Sequence, residues 1–393
     1  MCYRVYCEDS FERLPKTTPP EITRTSVDQV ILQLLLIGVP NPHAFPYPSP
    51  PSKDGLRVAL QQLKALGALQ GVVPGVAGGA KYALTPMGAH MAALPVDPHF
   101  ALLLLQSVDS SCCVETVTVV SMLSADTIFL SPTPADKTRA LEAWAQFRCP
   151  EGDMLALLAV HAAWVKAGRD AHWSRRHFLS QAGLLTADNI RTQLKEVLVR
   201  VLGAGACAGV SATSLPDKLP LLRCLAKGLA LRSARKIVDQ DIASSSSHSS
   251  SSLSLGAGRG LSKHVFGEQR AQYSTIYGGA QVFLHPSSSF FGLPAKRLPD
   301  HLVYAELLVT SRHYVRTVCA VEADWLEGAG GGLFRKSVSA PAAPSEQKGT
   351  MGQHQHQHQH QQHQHQQHQN QQGIRGGGYK LKKGGISLAD GRQ

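Results

Sequence analysis

The chain has 393 residues, 43% hydrophobic and 17% charged, with a formal net charge of +11. That is long enough for two or three domains with real cores and excludes a chain that is disordered throughout. The basic balance favours a polyanionic partner, but from Arg335 onward there are eight Lys or Arg against two acids, so the part before it is only mildly basic. Eight cysteines (Cys2, Cys7, Cys112, Cys113, Cys149, Cys207, Cys224 and Cys319) stand without a CxxC pair or a zinc spacing, which reads as reduced, intracellular thiols. No apolar run reaches the roughly 18–20 residues of a membrane span. The first ten residues lack a basic stretch followed by an apolar one, so neither a membrane segment nor a secretory signal is expected.

In chain order, Cys2-Tyr3-Arg4-Val5-Tyr6 alternates as a strand does, and from Phe11 the chain runs through Pro15, Pro19 and Pro20 into an extended connector. Thr25 or Ser26 caps a helix with Val27, Val30, Ile31, Leu34 and Leu35 on one face and Gly38 at its end. After the proline-rich residues 40–51, Ser52 caps a second helix whose Leu56, Leu60, Leu63 and Leu66 form a stripe ending at Gly67. A glycine-rich stretch with Tyr82-Ala83-Leu84 makes a short hairpin, and Thr85-Pro86 opens a third helix. Helix, helix, hairpin and helix form a winged-helix plan.

From residue 98 to about 201 the pattern is helical over 99–107, 114–124, 137–147, 153–166, 177–181 and 187–202, and the short breaks imply a bundle. A further helix is expected over 219–238, basic at Arg223, Lys227, Arg232, Arg235 and Lys236; its charges suit either RNA or solvent. Residues 244–254 are nearly all serine and are expected to be a disordered insertion. Beyond it the period becomes two over 281–285, 302–309 and 314–321, with Pro286, Pro294 and Pro299 between; a small β-barrel closes such strands. The Gln/His repeat of 353–372 and the Gly/Lys-rich 376–385 bury too little to fold. Seven histidines in that repeat can hold Ni, Cu or Zn loosely, but an expanded repeat is the favoured reading. The expected fold is mainly α with a small β-barrel.

Module order and residues together resemble the region that follows the two motor domains of DEAH-box RNA helicases, over roughly residues 1–335. Cys2 to Tyr6 is similar to the last strand of the second RecA-like domain, and Pro20-Glu21-Ile22-Thr23-Arg24-Thr25 to the connector after it. Leu84-Thr85-Pro86-Met87-Gly88 and Leu94-Pro95-Val96-Asp97-Pro98 resemble the junction of winged helix and helical ratchet. Glu151-Gly152-Asp153, with Leu155, Leu157 and Leu158, and Asp188 to Leu194 resemble the ratchet. His285-Pro286-Ser287-Ser288, Val303 to Glu306 and Asp324-Trp325-Leu326 are similar to the oligonucleotide-binding (OB) fold segment. The division implied is 1–24 a motor remnant and connector, 25–97 winged helix, 98–239 ratchet, 240–262 linker, 263–334 OB-like barrel and 335–393 disordered tail.

A P-loop needs GxxxxGK[ST] to bring backbone N–H groups, a lysine and a hydroxyl to phosphate and magnesium. Neither that string nor a DEAH tetrapeptide occurs here. Gly256 to Gly260 before Lys263 reads as linker, and Ser211-Ala212-Thr213 matches the family's coupling tripeptide only in letters. No cofactor is expected on this chain; the resemblance places ATP and Mg on motor domains, and it implies a fragment or truncated gene model. It further implies a channel for single-stranded RNA, with His285, Ser287, Ser288, Arg312 and Arg316, and His313 beside them, as candidates to hold phosphate. Ser287 and Ser288 in such a turn are more often local caps than ligands, and Tyr304 and Trp325 read as core rather than stacking residues. Glu151 and Asp153 read as a helix-capping pair, not as acid and base. Arg24 is the interdomain candidate. Expected partners are single-stranded RNA and either the motor domains or activator proteins, in the nucleus or nucleolus, in splicing or ribosome biogenesis. The alternatives are a truncated complete ATP-dependent helicase and a scaffold indifferent to RNA.

Overall fold

The computed structural model describes residues 3, 5–15, 17–70, 73–74, 80–207, 217–237, 272–310 and 312–327. The serine-rich insertion, the tail beyond 327, Ser211 to Thr213 and the Gly256 to Lys263 stretch lie outside the described residues. Among those described at the start of the chain, Tyr3, Val5 and Tyr6 are exposed and form no strand. Among the described residues no strand pairs with this stretch, and a lone strand leaves its backbone groups unmet. The chain turns instead into the short helix α1 (Glu8–Glu12), with Phe11 N donating to Cys7 O at 3.2 Å.

The winged helix follows the expected order. Helix α2 (Asp28–Leu36) buries Ile31, Leu32, Leu34 and Leu35, while Val30 faces outward. It begins after Val27 with no side-chain cap; the Thr25 hydroxyl donates to Glu21 O at 2.8 Å in the preceding turn. Helix α3 (Lys53–Ala65) is capped by Ser52, whose Oγ accepts from Gly55 N at 2.9 Å, and Leu56, Leu60, Leu63 and Leu66 are buried. Strands β1 (Val73–Pro74) and β2 (Ala80–Lys81) pair antiparallel, and Leu69 bridges to Leu84. Thr85 caps α4 (Pro86–Ala93) through Gly88 N at 2.9 Å. Gly88 lies so close to Ala68 that a Cβ there would stand 2.0 Å from the Ala68 carbonyl oxygen.

The bundle comprises α5 (Pro98–Asp109), α6 (Cys113–Ser124), α7 (Lys137–Ala145), α8 (Asp153–Lys166), α9 (Ala171–Arg176) and α10 (Gln181–Leu202). A helix over 177–181 is not found. That stretch joins α9 to α10, and α10 starts six residues earlier than expected because Ser180 caps it by accepting from Gly183 N at 3.0 Å. Trp164, fully buried, donates from Nε1 to Gln181 Oε1 at 3.0 Å, tying α8 to the start of α10. Asp188 on α10 takes Arg169 Nε at 3.1 Å and His161 Nε2 at 3.3 Å, and Arg191 Nε donates to Thr118 Oγ1 at 2.8 Å. The 188–194 motif therefore fastens helices together.

Helix α11 (Leu219–Gly228) is shorter than expected. A 3-10 turn (Ala230–Arg232) follows it and leads straight into β3 (Ser233–Lys236), so the last part of the stretch expected to be helix is the first strand of the barrel. With β4 (Gln272–Thr275), β5 (Gln281–Leu284), β6 (His301–Val309) and β7 (His313–Val321) it closes a barrel in the order β3-β4-β5-β7-β6. Among these strands only β5 and β7 pair in parallel. Leu302, Tyr304, Val315, Val318, Val282, Leu284 and Tyr273 fill its interior, whereas Val303, Ala305, Cys319 and Val321 join the core of the bundle, as does Leu326 on the closing helix α12 (Ala323–Leu326). One half of the outer face of β6 and β7 is thus sealed against helices. Among the described residues no single helix is long and apolar enough to cross a membrane.

Candidate nucleic-acid interface

An unbroken strand points successive side chains to opposite faces, so Val315 and Val318, three apart, cannot both face the interior of one. They do so because Thr317 between them adopts a left-handed backbone, φ +53°. The register passes from Tyr304↔Val318 to Glu306↔Arg316 across this point. Past the kink, β7 turns Tyr314 and Arg316 outward on the half that the helices leave uncovered.

Tyr314 is in register with Phe283 on β5 and with Leu308 on β6. The Phe283 and Tyr314 rings lie 6.2 Å apart, His285 meets Tyr314 edge-on at 6.1 Å, and the Arg312 guanidinium sits 5.3 Å from the Phe283 ring. Arg316 pairs with Glu306 across the ladder, each side chain 42% exposed. The result is a half-exposed platform of two aromatic rings and an imidazole, flanked by two guanidinium groups. Flat π-faces with cations beside them accept bases by stacking and phosphates by charge.

His285 is held below the usual imidazole range, first by burial and then by the nearby Arg316, against the pull of Glu306. Its ring is neutral at neutral pH. Ser287 N donates to Nδ1 at 3.1 Å, so the ring proton sits on Nε2 and the ring is a donor there. Ser287 Oγ lies 2.8 Å from the same Nδ1 and is exposed. Ser288 is different: it is 6% exposed and its Oγ accepts from Phe290 N at 3.2 Å, holding the turn. His313 is exposed at the start of β7. Arg24 donates from Nε to Pro19 O at 3.3 Å, within its own connector.

Of the aromatic residues weighed from sequence, Tyr304 is core and Trp325 packs half-buried against the bundle core. Phe283 and Tyr314 were missed. Strand alternation would have found them, since each sits one place out of phase with its buried neighbours, but the parallel pairing that sets them side by side is not visible in sequence.

Glu151 and Asp153 do not act as a simple capping pair. Glu151 takes Lys218 Nζ at 3.1 Å, and its carbonyl accepts from Ala320 N at 2.8 Å. Asp153 accepts Ser289 N at 2.7 Å and Val318 N at 2.9 Å. Gly152 between them bridges to Cys319 at φ +125°, where a Cβ would stand 2.4 Å from Val318 O. A second joint is Arg232, which donates to Asp97 Oδ2 at 2.7 Å and to Ala305 O at 3.0 Å while covering the Phe100 ring. These contacts fasten the barrel to the helices and so fix where the aromatic platform faces.

Three family models match the chain in succession: "Helicase associated domain (HA2), winged-helix" at 59–96, "Helicase associated domain (HA2), ratchet-like" at 97–178, and "Oligonucleotide/oligosaccharide-binding (OB)-fold" at 221–333. Among similar curated proteins, Probable ATP-dependent RNA helicase DHX35 of Homo sapiens is 32% identical over 326 residues, 83% of this chain and 39% of that protein. ATP-dependent RNA helicase DHX33 of Mus musculus is 31% identical over 338 residues, 86% of this chain and 42% of that protein. The chain thus spans about two fifths of the length of the curated relatives it matches. With a winged helix, a ratchet-like bundle and a closed five-stranded barrel in that order, the chain carries the C-terminal accessory region of the DEAH-box RNA helicases.

Proposed function

We propose that this chain is an RNA-binding accessory module that guides single-stranded RNA for an ATP-driven helicase motor and receives motor domains or activator proteins on its helical side. The observation that carries the RNA reading is the Phe283–Tyr314 platform with Arg312 stacked on it, on the barrel half that the helices leave open. Stacking is tolerant of sequence, and the cations follow the backbone, which suits a guide that must pass any base. The sequence has no phosphate-cradling GxxxxGK[ST] string, so ATP chemistry is assigned to motor domains of the kind the relatives' names imply. A nuclear or nucleolar setting, in splicing or ribosome biogenesis, is part of the same proposal and rests on the resemblance alone.

The test is binding of a fluorescent single-stranded RNA at several salt concentrations, with ATP hydrolysis followed in the same samples. Expected are binding that weakens steadily with salt, by about 0.7 in log K per log salt for each phosphate neutralised, and no ATP turnover. Absence of binding at low salt would favour a scaffold, and turnover that co-purifies with the chain would favour a complete helicase.

A further inference from the structure

Four cysteines without motif spacing meet inside the ratchet. Cys112 and Cys113 stand at the start of α6, Cys224 is on α11, and Cys207 follows the end of α10. Cys113 Sγ and Cys207 Sγ are 3.0 Å apart although 94 residues separate them in the chain. A disulfide bond is roughly 2.05 Å long, so an approach of about 1 Å between the two sulfurs joins them. Among the described residues no set of three or more His, Cys, Asp or Glu is arranged to hold a metal ion.

We propose that Cys113 and Cys207 form a dithiol site that is oxidised to an intramolecular disulfide by a small organic disulfide, locking the end of α10 onto α6. The two sulfurs have different roles. Cys207 is half-buried and so within reach of a small disulfide. Cys113 is buried, and burial, together with its neighbour Cys207, pushes its thiol up to about 12. Cys207 therefore meets the oxidant first. Its thiolate attacks one sulfur of RSSR, giving Cys207–S–S–R and RS⁻, which takes the proton Cys207 lost. Cys113 sulfur then attacks Cys207 sulfur and the S–S bond to R breaks, the Cys113 proton passing to the second RS⁻. The protein loses two protons and two electrons, and RSSR is reduced to two RSH.

The neighbouring pair is not equivalent. Cys112 and Cys224 are both buried; Cys112 accepts from Thr116 Oγ1 at 3.6 Å, and Cys224 donates to Leu103 O at 3.6 Å. Neither gives an external disulfide a path to attack.

The experiment treats the full chain with oxidised glutathione, blocks remaining thiols by alkylation, and maps cross-linked peptides by mass spectrometry without reduction. Wild type and Cys112→Ala are expected to show one new link between the peptides holding residues 113 and 207, and a thermal midpoint that rises and returns on adding dithiothreitol. Cys207→Ser, at a half-exposed position, loses the link, and Cys113→Ser stops at a glutathione adduct on Cys207. A stable adduct on Cys207 in wild type, a link that survives Cys113→Ser, or no change at all would each overturn the proposal.

Discussion

The Asp153 carboxylate, at the first turn of α8, accepts two backbone N–H groups of the barrel, Ser289 at 2.7 Å and Val318 at 2.9 Å. Both oxygens are used, so the residue joins two domains rather than only capping its own helix. Asp153→Ala leaves two amides at a part-buried joint without acceptors, at about 1–3 kcal/mol each, so a total loss of roughly 2–6 kcal/mol is expected in urea unfolding. Loss of a helix cap alone costs about 0.5–2 kcal/mol. Hydrogen exchange separates the two accounts, because only the joint predicts that Ser289 and Val318 amides lose protection while the first turn of α8 keeps its own.

Gly152 is required beside it for two independent reasons: its φ of +125° and the Val318 carbonyl 2.4 Å from where a Cβ would be. Gly168 shares a positive φ, +72°, but has open space around it. Gly168→Ala is expected to cost about 1 kcal/mol, the price of a left-handed alanine. Gly152→Ala adds displacement of β7 and is expected to cost more than about 3 kcal/mol. Thermal midpoints of the two variants check this, and equal shifts would mean that the close approach to Val318 does not matter.

The stripe of Leu56, Leu60, Leu63 and Leu66 was legible because it buries one face of α3, and 302–309 and 314–321 were legible as strands although β6 and β7 bury side chains both inside the barrel and against the bundle. The 177–181 stretch misled, although Asp170 is a visible cap: its side chain accepts His172 N at 3.2 Å and Trp173 N at 2.9 Å and starts α9 earlier. β3 was illegible for a different reason. Four residues with two charges look like the end of a basic helix, and they become a strand only because β4 and β6, distant in sequence, pair with them. Of the candidate platform, the HPSS turn and the arginines Arg312 and Arg316 are named from sequence, while Phe283 beside Tyr314 needs a parallel pairing that no local pattern announces.

The buried charges where the winged helix meets the barrel predict a pH dependence of stability with opposing parts. Burial raises Asp28 to about 6, with Asp97 adding to the rise and Ser26 and Arg232 opposing it. A raised folded value gives stability that is full below the unfolded value, near 3.8, and is lost as pH climbs through about 6. His99 is lowered to about 3, first by burial and then by Arg232, so its contribution is full above 6.5 and is lost as pH falls toward 3. Burial alone would raise Asp97, but Arg232 and His99 hold it below the ordinary carboxylate value, and its part is lost only at more acid pH. Between pH 4 and 6 the Asp28 and His99 slopes therefore oppose each other. Asp28→Asn removes the falling part: stability should then rise more steeply over that window and exceed wild type by about 1–3 kcal/mol at pH 7. Urea midpoints of both proteins at pH 4, 5, 6 and 7 test it, and parallel curves would refute the assignment.

The RNA platform makes the last prediction, which depends on the sign of each change. Phe283→Ala and Tyr314→Leu remove a stacking surface and should weaken single-stranded RNA binding by about 1–3 kcal/mol each, with the salt slope unchanged. Arg312→Ala removes a charge and its stacking partner, so it should lower affinity and also reduce the slope by about 0.7. Glu306→Gln does the opposite. It releases Arg316 from its cross-strand partner and takes a negative charge off the face, which should tighten binding by about threefold at low salt, the scale of an exposed ion pair. Ser288→Ala, at a buried turn, should leave affinity alone while lowering stability. Fluorescence anisotropy over a salt series distinguishes these outcomes. If Glu306→Gln weakened binding as Arg312→Ala does, RNA would have to lie on a different face of the barrel, because a phosphate held at Arg316 gains from every acid removed beside it.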